Sequence, residues 1–230
     1  MGLTISRRLR VFFSSLLLQA SWSFAGLQSL GFIHTLVAGS SRSRIRQHTD
    51  CFNTHPYMVG FIVGAILGIE DRGKELLREH MKRLKAALES AFASVGDLFF
   101  WNLLRPALAL IAVILTIKFG LIGPIFFILS YNLIHLYTRF YGIRIGYERG
   151  SAVIEVLKSP LLWKTVSLLE LIGIFATGLL FGIFLPVQNP DHVLILILLS
   201  IFSIFWIIRQ KPLSVLFLIL VIFVVIKGIL

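Results

Sequence analysis

Only one of the 230 residues is a cysteine, Cys51, so the chain holds no internal disulfide and no tetrathiolate metal site. Charge is scarce as well. Asp, Glu, Lys and Arg make up 14% of the residues, where a water-soluble domain carries about a quarter. That leaves too little polar surface to cover a soluble globule of this size. Disorder is excluded from the other side, by 57% apolar residues and a mean hydropathy of +0.89. Acids are the scarcest charges, 11 against 22 Lys plus Arg, for a net charge of +11. Such an excess would suit nucleic acid if it formed one stripe, but here the bases fall between apolar runs, at 7–10, 42–46, 72–85, 139–164 and 209–211. That is the pattern of loops and helix ends held against an anionic lipid surface, so a bilayer and no nucleic acid is expected.

Catalytic signatures are missing too. There is no Gly-x-Ser-x-Gly elbow, no glycine-rich phosphate cradle and no His-Glu-x-x-His pair, so no catalytic residue is assigned within the chain. His48, Asp50, Cys51 and His55 lie within eight residues, and Cys51 with His55 would share a helix face. Metal sites draw ligands from several elements and no second cluster exists, so neither metal nor cofactor is expected. His34, His135 and His192 are scattered and read as packed or interfacial histidines.

What is present is a succession of apolar segments. Arg7, Arg8 and Arg10 precede an apolar run at 11–18, but Ser14, Ser15, Gln19, Ser21, Ser23 and Gln28 make the stretch an amphipathic arm at the membrane interface rather than a cleaved signal. Residues 51–69 carry no charged side chain, yet Asn53, His55, Pro56, Gly60, Gly64 and Gly68 interrupt them, which suits a hairpin or a re-entrant helix with close neighbours. Leu77, Met81, Leu84, Leu88 and Ala91 or Phe92 recur at spacings of three and four beside basic residues and predict an amphipathic helix.

Asp97 follows in Ser-Val-Gly-Asp-Leu-Phe-Phe-Trp, with an apolar run at 106–117. An acid there either marks a functional cavity or caps the helix that follows, and Arg105 is the available counter-ion in both cases. Residues 119–138, 171–185, 192–208 and 213–226 complete the apolar set; the last reaches only about 21 Å. The basic linker at 209–211 lies inside and the linker at 186–191 outside, which puts the carboxyl end outside.

Asn53, Asp97, Trp101, Asn102, Asn132 and Tyr141 form an inventory of amides, one acid and aromatic faces that would serve a sugar. The expected fold is an all-α integral membrane protein: a multi-helix bundle with broken or re-entrant helices around Pro56 and Gly96 and about four to six embedded segments. It reads as one domain over 1–230, with an amphipathic arm at 1–48, a motif-bearing core at 49–155 and hydrophobic helices at 156–230.

Four stretches in order carry a family resemblance: Gln-Ala-Ser-Trp-Ser-Phe-Ala-Gly-Leu-Gln-Ser-Leu-Gly-Phe at 19–32, Phe-Asn-Thr-His-Pro-Tyr at 52–57, Val-Gly-Asp-Leu-Phe-Phe-Trp at 95–101 with Arg105 and Pro106, and Arg-Phe-Tyr-Gly at 139–142 through Gly146 and Tyr147. Together they resemble the IID subunit of the mannose, fructose and sorbose family of phosphotransferase system permeases. The resemblance covers residues 11–155, and the last third only by hydropathy.

It implies a multi-pass subunit of the bacterial inner membrane that pairs with a IIC subunit, as a hetero-oligomer, to form the channel for phosphorylation-coupled hexose uptake. Soluble IIA and IIB phosphocarriers would supply the phosphoryl group, and the IID chain would have no phosphorylation site of its own. By analogy Asn53, Asp97 and Trp101 shape the translocation site or partner interface. Gly96, Arg105 and Tyr141 are motif positions, and Gly142 and Gly146 serve close helix packing. The chain departs from the family at Ala25 and Gly26, where a charged pair is usual, at Ser90 to Ser94, where Gly and Pro are often found, and in a short segment between Lys158 and Asp191. These departures keep a non-transporting regulatory or scaffold role as an alternative, beside a membrane-embedded enzyme using Asp97 and histidines.

Overall fold

The computed structural model describes residues 3–40, 48–73, 78–184 and 198. The basic cluster at 42–46, Leu77, the apolar segments 192–208 and 213–226, and the linkers used to orient them lie outside the described residues. The chain divides into two compact units, Met1–Ile174 and Phe175–Leu230. Among the described residues the second unit comprises 175–184, the end of a helix that begins at Pro160, and residue 198.

The first unit is helical. Helix α1 (Ile5–Leu16) starts at Thr4, whose hydroxyl accepts the Arg7 N–H at 3.3 Å and so satisfies one of the free donors at the helix start. Its amphipathicity is reversed with respect to a helix on a soluble protein. Ile5, Leu9, Phe13 and Leu16 are exposed, while Arg7, Arg8, Ser14 and Ser15 are buried. The buried bases are matched: Arg7 donates to the Gly39 carbonyl and to both carboxylate oxygens of Asp71, and Arg8 Nε donates to the Phe140 carbonyl at 3.1 Å. An outward apolar stripe above an inward polar one is the arrangement of a helix whose surroundings are hydrocarbon.

Helix α2 (Ser29–Gly39) leads to α3 (Val59–Asp71), in which every residue from Val59 to Ile69 is buried. A helix apolar on all sides belongs in the middle of a bundle. At about 20 Å, α3 is too short to cross a bilayer core of about 30 Å.

Its main partner is α6 (Ile122–Arg149). Gly60, Gly64 and Gly68 repeat every fourth residue on α3, opposite Gly142 and Gly146. A Cβ on Gly64 would lie 2.2 Å from the Ile143 carbonyl oxygen, and one on Gly146 would lie 2.1 Å from that of Phe61. Each helix backbone therefore rests on the glycines of the other, and dispersion attraction at this short range holds the pair together.

Helix α4 (Arg78–Gly96) presents buried Met81, Leu88 and Phe92 to the core and passes without a break into a π-helical segment, Asp97–Leu104, and then α5 (Arg105–Phe119). The interruption expected at Gly96 thus takes the form of a widened helical turn, and the helix from Glu79 to Phe119 is 41 residues long. Gly120, at φ +60°, turns the chain into α6. Of the apolar run foreseen at 119–138, residues from Ile122 on form the first part of that longer helix, while Phe119 ends α5. A 3₁₀ segment, Gly150–Lys158, connects to α7 (Pro160–Phe184).

Among the described residues two helices, Glu79–Phe119 and Pro160–Leu180, are long and apolar enough to cross a membrane. Ile122, Ile125, Leu129 and Leu133 on α6 add an exposed aliphatic row, followed by exposed Tyr137 and Tyr141 and then by the Arg144–Glu148 ion pair. Hydrocarbon, interface and water succeed one another along that face.

Candidate functional site

Two connecting segments meet beside the π-helical turn. Loop 17–28 is pinched where Ser23 and Leu27 exchange backbone hydrogen bonds, with Leu27 at φ +52°. Its end is pinned to the strap formed by residues 50–58. Gln28 N–H donates to the Phe52 carbonyl at 2.8 Å, and the Gln28 amide both donates to the Thr54 carbonyl and accepts from the Thr54 N–H, at 3.0 and 3.1 Å. Phe32 and Phe52 stack at 3.8 Å beneath. The first two motif stretches of the sequence are therefore a single structural piece, joined through Gln28 and Thr54.

That piece delivers His55 to the π-helical turn. The ring is 1% exposed, stacks on Phe100 at 5.1 Å and leans on Trp101 at 4.7 Å. It also occupies the space a side chain at position 96 would need, since a Cβ there would be 2.5 Å from His55 Cβ and Cγ. Nδ1 accepts the Tyr57 N–H at 3.3 Å, which assigns the neutral tautomer with its proton on Nε2, and Nε2 meets no protein partner among the described residues.

Beyond His55, Tyr57 stacks on His135 at 4.3 Å, and His135 Nε2 is 2.9 Å from Asn132 Oδ1. The buried Arg139 guanidinium, 5.6 Å from the Tyr57 ring, donates to the Ser15 carbonyl. The π-helical segment widens the backbone where the His55 ring enters, a distortion that recurs at functional sites.

The residues singled out in the sequence fall in different places. Asp97 opens the π-helical segment, half-buried, and forms no hydrogen bond or ion pair among the described residues. It caps nothing, because the chain is helical on both sides of it. Arg105, eight residues on, is exposed and does not pair with it. Trp101 is 43% exposed with its inner edge on His55, and Asn53 is exposed, its N–H donating to Glu89 Oε2 at 3.3 Å. His55 thus links the neighbourhoods of Asn53, Gly96 with Asp97, and Trp101.

Tyr141 is elsewhere, stacked on Tyr137 at 5.3 Å, and Gly142 and Gly146 face α3. Asn132 is also bonded to the Ile128 carbonyl. The four residues weighed for metal separate: His48 lies 3.0 Å from Glu70, Asp50 lies 3.8 Å from Lys82, the Cys51 thiol lies 3.4 Å from the Ala25 carbonyl, and His55 is in its aromatic nest.

Sequence reasoning missed His55, Tyr57, His135 and Arg139 as one cluster. A signal for His55 was available: a glycine before an acid in an apolar helix can mark the close approach of a foreign side chain.

The helical fold and its aliphatic exterior define an integral membrane protein. The model of the PTS system mannose/fructose/sorbose family IID component matches residues 2–193, and the chain belongs to that family. It is 31% identical over 193 residues to the PTS system mannose-specific EIID component of Escherichia coli K12, covering 78% of this chain and 68% of that protein. It is 27% identical over 192 residues to the fructose permease IID component of Bacillus subtilis 168, covering 78% and 70%.

Among solved structures, the cryoEM structure of the mannose transporter ManYZ with microcin E492 matches with a TM-score of 0.60 at 27% identity, covering 99% of this chain and 97% of that one. A structure described as a membrane protein matches with a TM-score of 0.72 at 27% identity, covering 99% and 98%.

Proposed function

We propose that this IID component pairs with a IIC subunit in the inner membrane of a bacterium to form the sugar-translocating channel of a mannose-family phosphotransferase system, fed by soluble IIA and IIB phosphocarriers. The observation that carries the reading is the likeness along 99% of the chain to a chain of a mannose transporter. The local chemistry agrees with it. Trp101 offers half an aromatic face to the apolar side of a hexose ring, Asp97 has a carboxylate with no protein partner among the described residues, and Asn53 brings an exposed amide that donates and accepts. His55 anchors this group from behind without touching the sugar, and phosphoryl transfer is chemistry of the IIB partner.

The test is uptake and phosphorylation of hexoses by cells carrying the IIA, IIB and IIC partners with and without this chain. Deletion should abolish uptake of one hexose class, and Trp101→Ala should raise the uptake KM about tenfold, the loss of one good stacking contact. Asp97→Asn should cut uptake with the complex still assembled. Normal uptake without the chain would refute the proposal. The unbroken helix through Ser90 to Ser94 favours one second reading, a regulatory IID-like subunit, which predicts an assembled complex that moves no sugar.

A further inference from the structure

Beneath the strap, α4 carries a polar cluster that the translocation site does not use. Lys82, Lys85 and Glu89 recur at spacings of three and four and so share one face of α4. Lys85 is 2% exposed, and its ammonium has no hydrogen-bond partner among the described residues. Glu89 Oε1 and Asp50 Oδ2 are likewise buried and unpartnered, and these are the two carboxylates within electrostatic reach of Lys85.

The other oxygen of Glu89 accepts the Asn53 N–H at 3.3 Å, and the Glu89 backbone carbonyl accepts the Thr54 hydroxyl at 3.2 Å. Asp50 is also held from outside by Lys82 at 3.8 Å. One glutamate therefore grips two consecutive strap residues, and the buried ammonium of Lys85 stands one helical turn before it on the same face of α4. An uncompensated buried ammonium is costly, and beyond the Phe32 ring, 5.8 Å away and stacked on Phe52 of the strap, the carboxylates of Glu89 and Asp50 offset that cost.

We propose that Lys85, Glu89 and Asp50 form an ionic latch that fixes the strap to α4 and thereby positions Asn53 and His55 at the site. No direct ion pair joins Lys85 to either acid among the described residues, so its attraction for them acts at longer range than contact. Glu89 is a positioning residue here, acting through the strap rather than on the sugar. The part of the inference that concerns transport rests on the function proposed above.

Cys51, the single cysteine of the chain, lies on the strap next to Asp50 with its thiol donating to the Ala25 carbonyl at 3.4 Å, so release of the strap frees the thiol for labelling. The full chain in membranes is labelled with N-ethylmaleimide and the rate followed by mass spectrometry. Glu89→Ala, which removes both the charge and the acceptor for Asn53, should label about tenfold faster than wild type as the strap opens locally. Glu89→Gln, which keeps an acceptor oxygen, should fall between the two. Glu79→Gln, in an exposed pair with Arg83 on the same helix, should label like wild type.

Labelling of both Glu89 variants within twofold of wild type overturns the latch. If Glu89→Ala fails to fold, Glu89→Gln alone decides by the same criterion. In the assembled permease, Glu89→Gln should also raise the uptake KM more than it lowers the maximal rate. Faster labelling with unchanged uptake leaves the latch standing and removes Asn53 from the sugar site instead.

Discussion

At the scale of single residues the molecule depends on a few close fits between a buried charge or ring and its neighbour. Asp71 is one. Burial alone would raise its pKa, but hydrogen bonds from Arg7 and Tyr147 together with the charge of Arg7 outweigh burial and hold the carboxyl below its ordinary value. The unfolded chain therefore binds this proton more tightly than the folded one. The stabilisation is complete above the unfolded pKa of about 4 and is lost as pH falls through the depressed folded value. Thermal melts in detergent from neutral pH down to about pH 3 should show this decline in wild type and a flatter curve in Asp71→Asn. That variant should start about 3 kcal/mol lower at neutral pH, because Arg7 remains buried without its partner. Gly96 is a second fit. Gly96→Ala should displace the His55 ring and cost about 2 kcal/mol of stability, with a loss of uptake, as overpacking of a dense core does. Gly178→Ala, where a Cβ meets nothing within 4 Å, should melt no lower than wild type.

At the scale of elements, the pairing of α3 with α6 organises the rest. α3 has no side exposed to solvent or lipid from Val59 to Ile69, so its contribution is to be a surface on which α6, α1 and the 3₁₀ segment pack. The glycine rows bring the two backbones together and leave no room for a larger residue. Gly64→Val should abolish the close approach and cost more than about 3 kcal/mol, read as loss of folded protein on size-exclusion chromatography in detergent. The same substitution at Gly173, where an added Cβ meets nothing within 4 Å, should yield folded protein. The π-helical segment is the other decisive element. Between α4 and α5 the helix continues but widens at the point where His55 enters, so Asp97 and Trp101 are held on a helix while Asn53 and His55 reach it from the strap.

At the scale of the whole molecule, among the described residues, α1 and α6 turn apolar side chains outward while Arg7 and Arg8 find their partners inside. The reversed α1 and the aliphatic row on α6 have no counterpart in a soluble protein, where a contiguous apolar patch rarely exceeds a few hundred Å². The chain extracted with native lipid should co-purify with a IIC-type subunit, seen as a second band of fixed stoichiometry. A lone, monodisperse chain under those conditions would contradict the assembly proposed here.

Residence in a bilayer, the all-helical class, the amphipathic periodicity of α4 and the four motif stretches were all legible in the amino-acid order. They follow from the cost of placing each residue in water or hydrocarbon, and that cost is a local property. The tertiary structure alone decided which surfaces meet. It turned Arg7 and Arg8 inward, carried the helix through Gly96, paired the glycines of α3 with those of α6, and set His55 against the π-helical turn of a distant segment. Such pairings depend on shape and charge matched between distant segments, and no window of sequence contains both halves of the match.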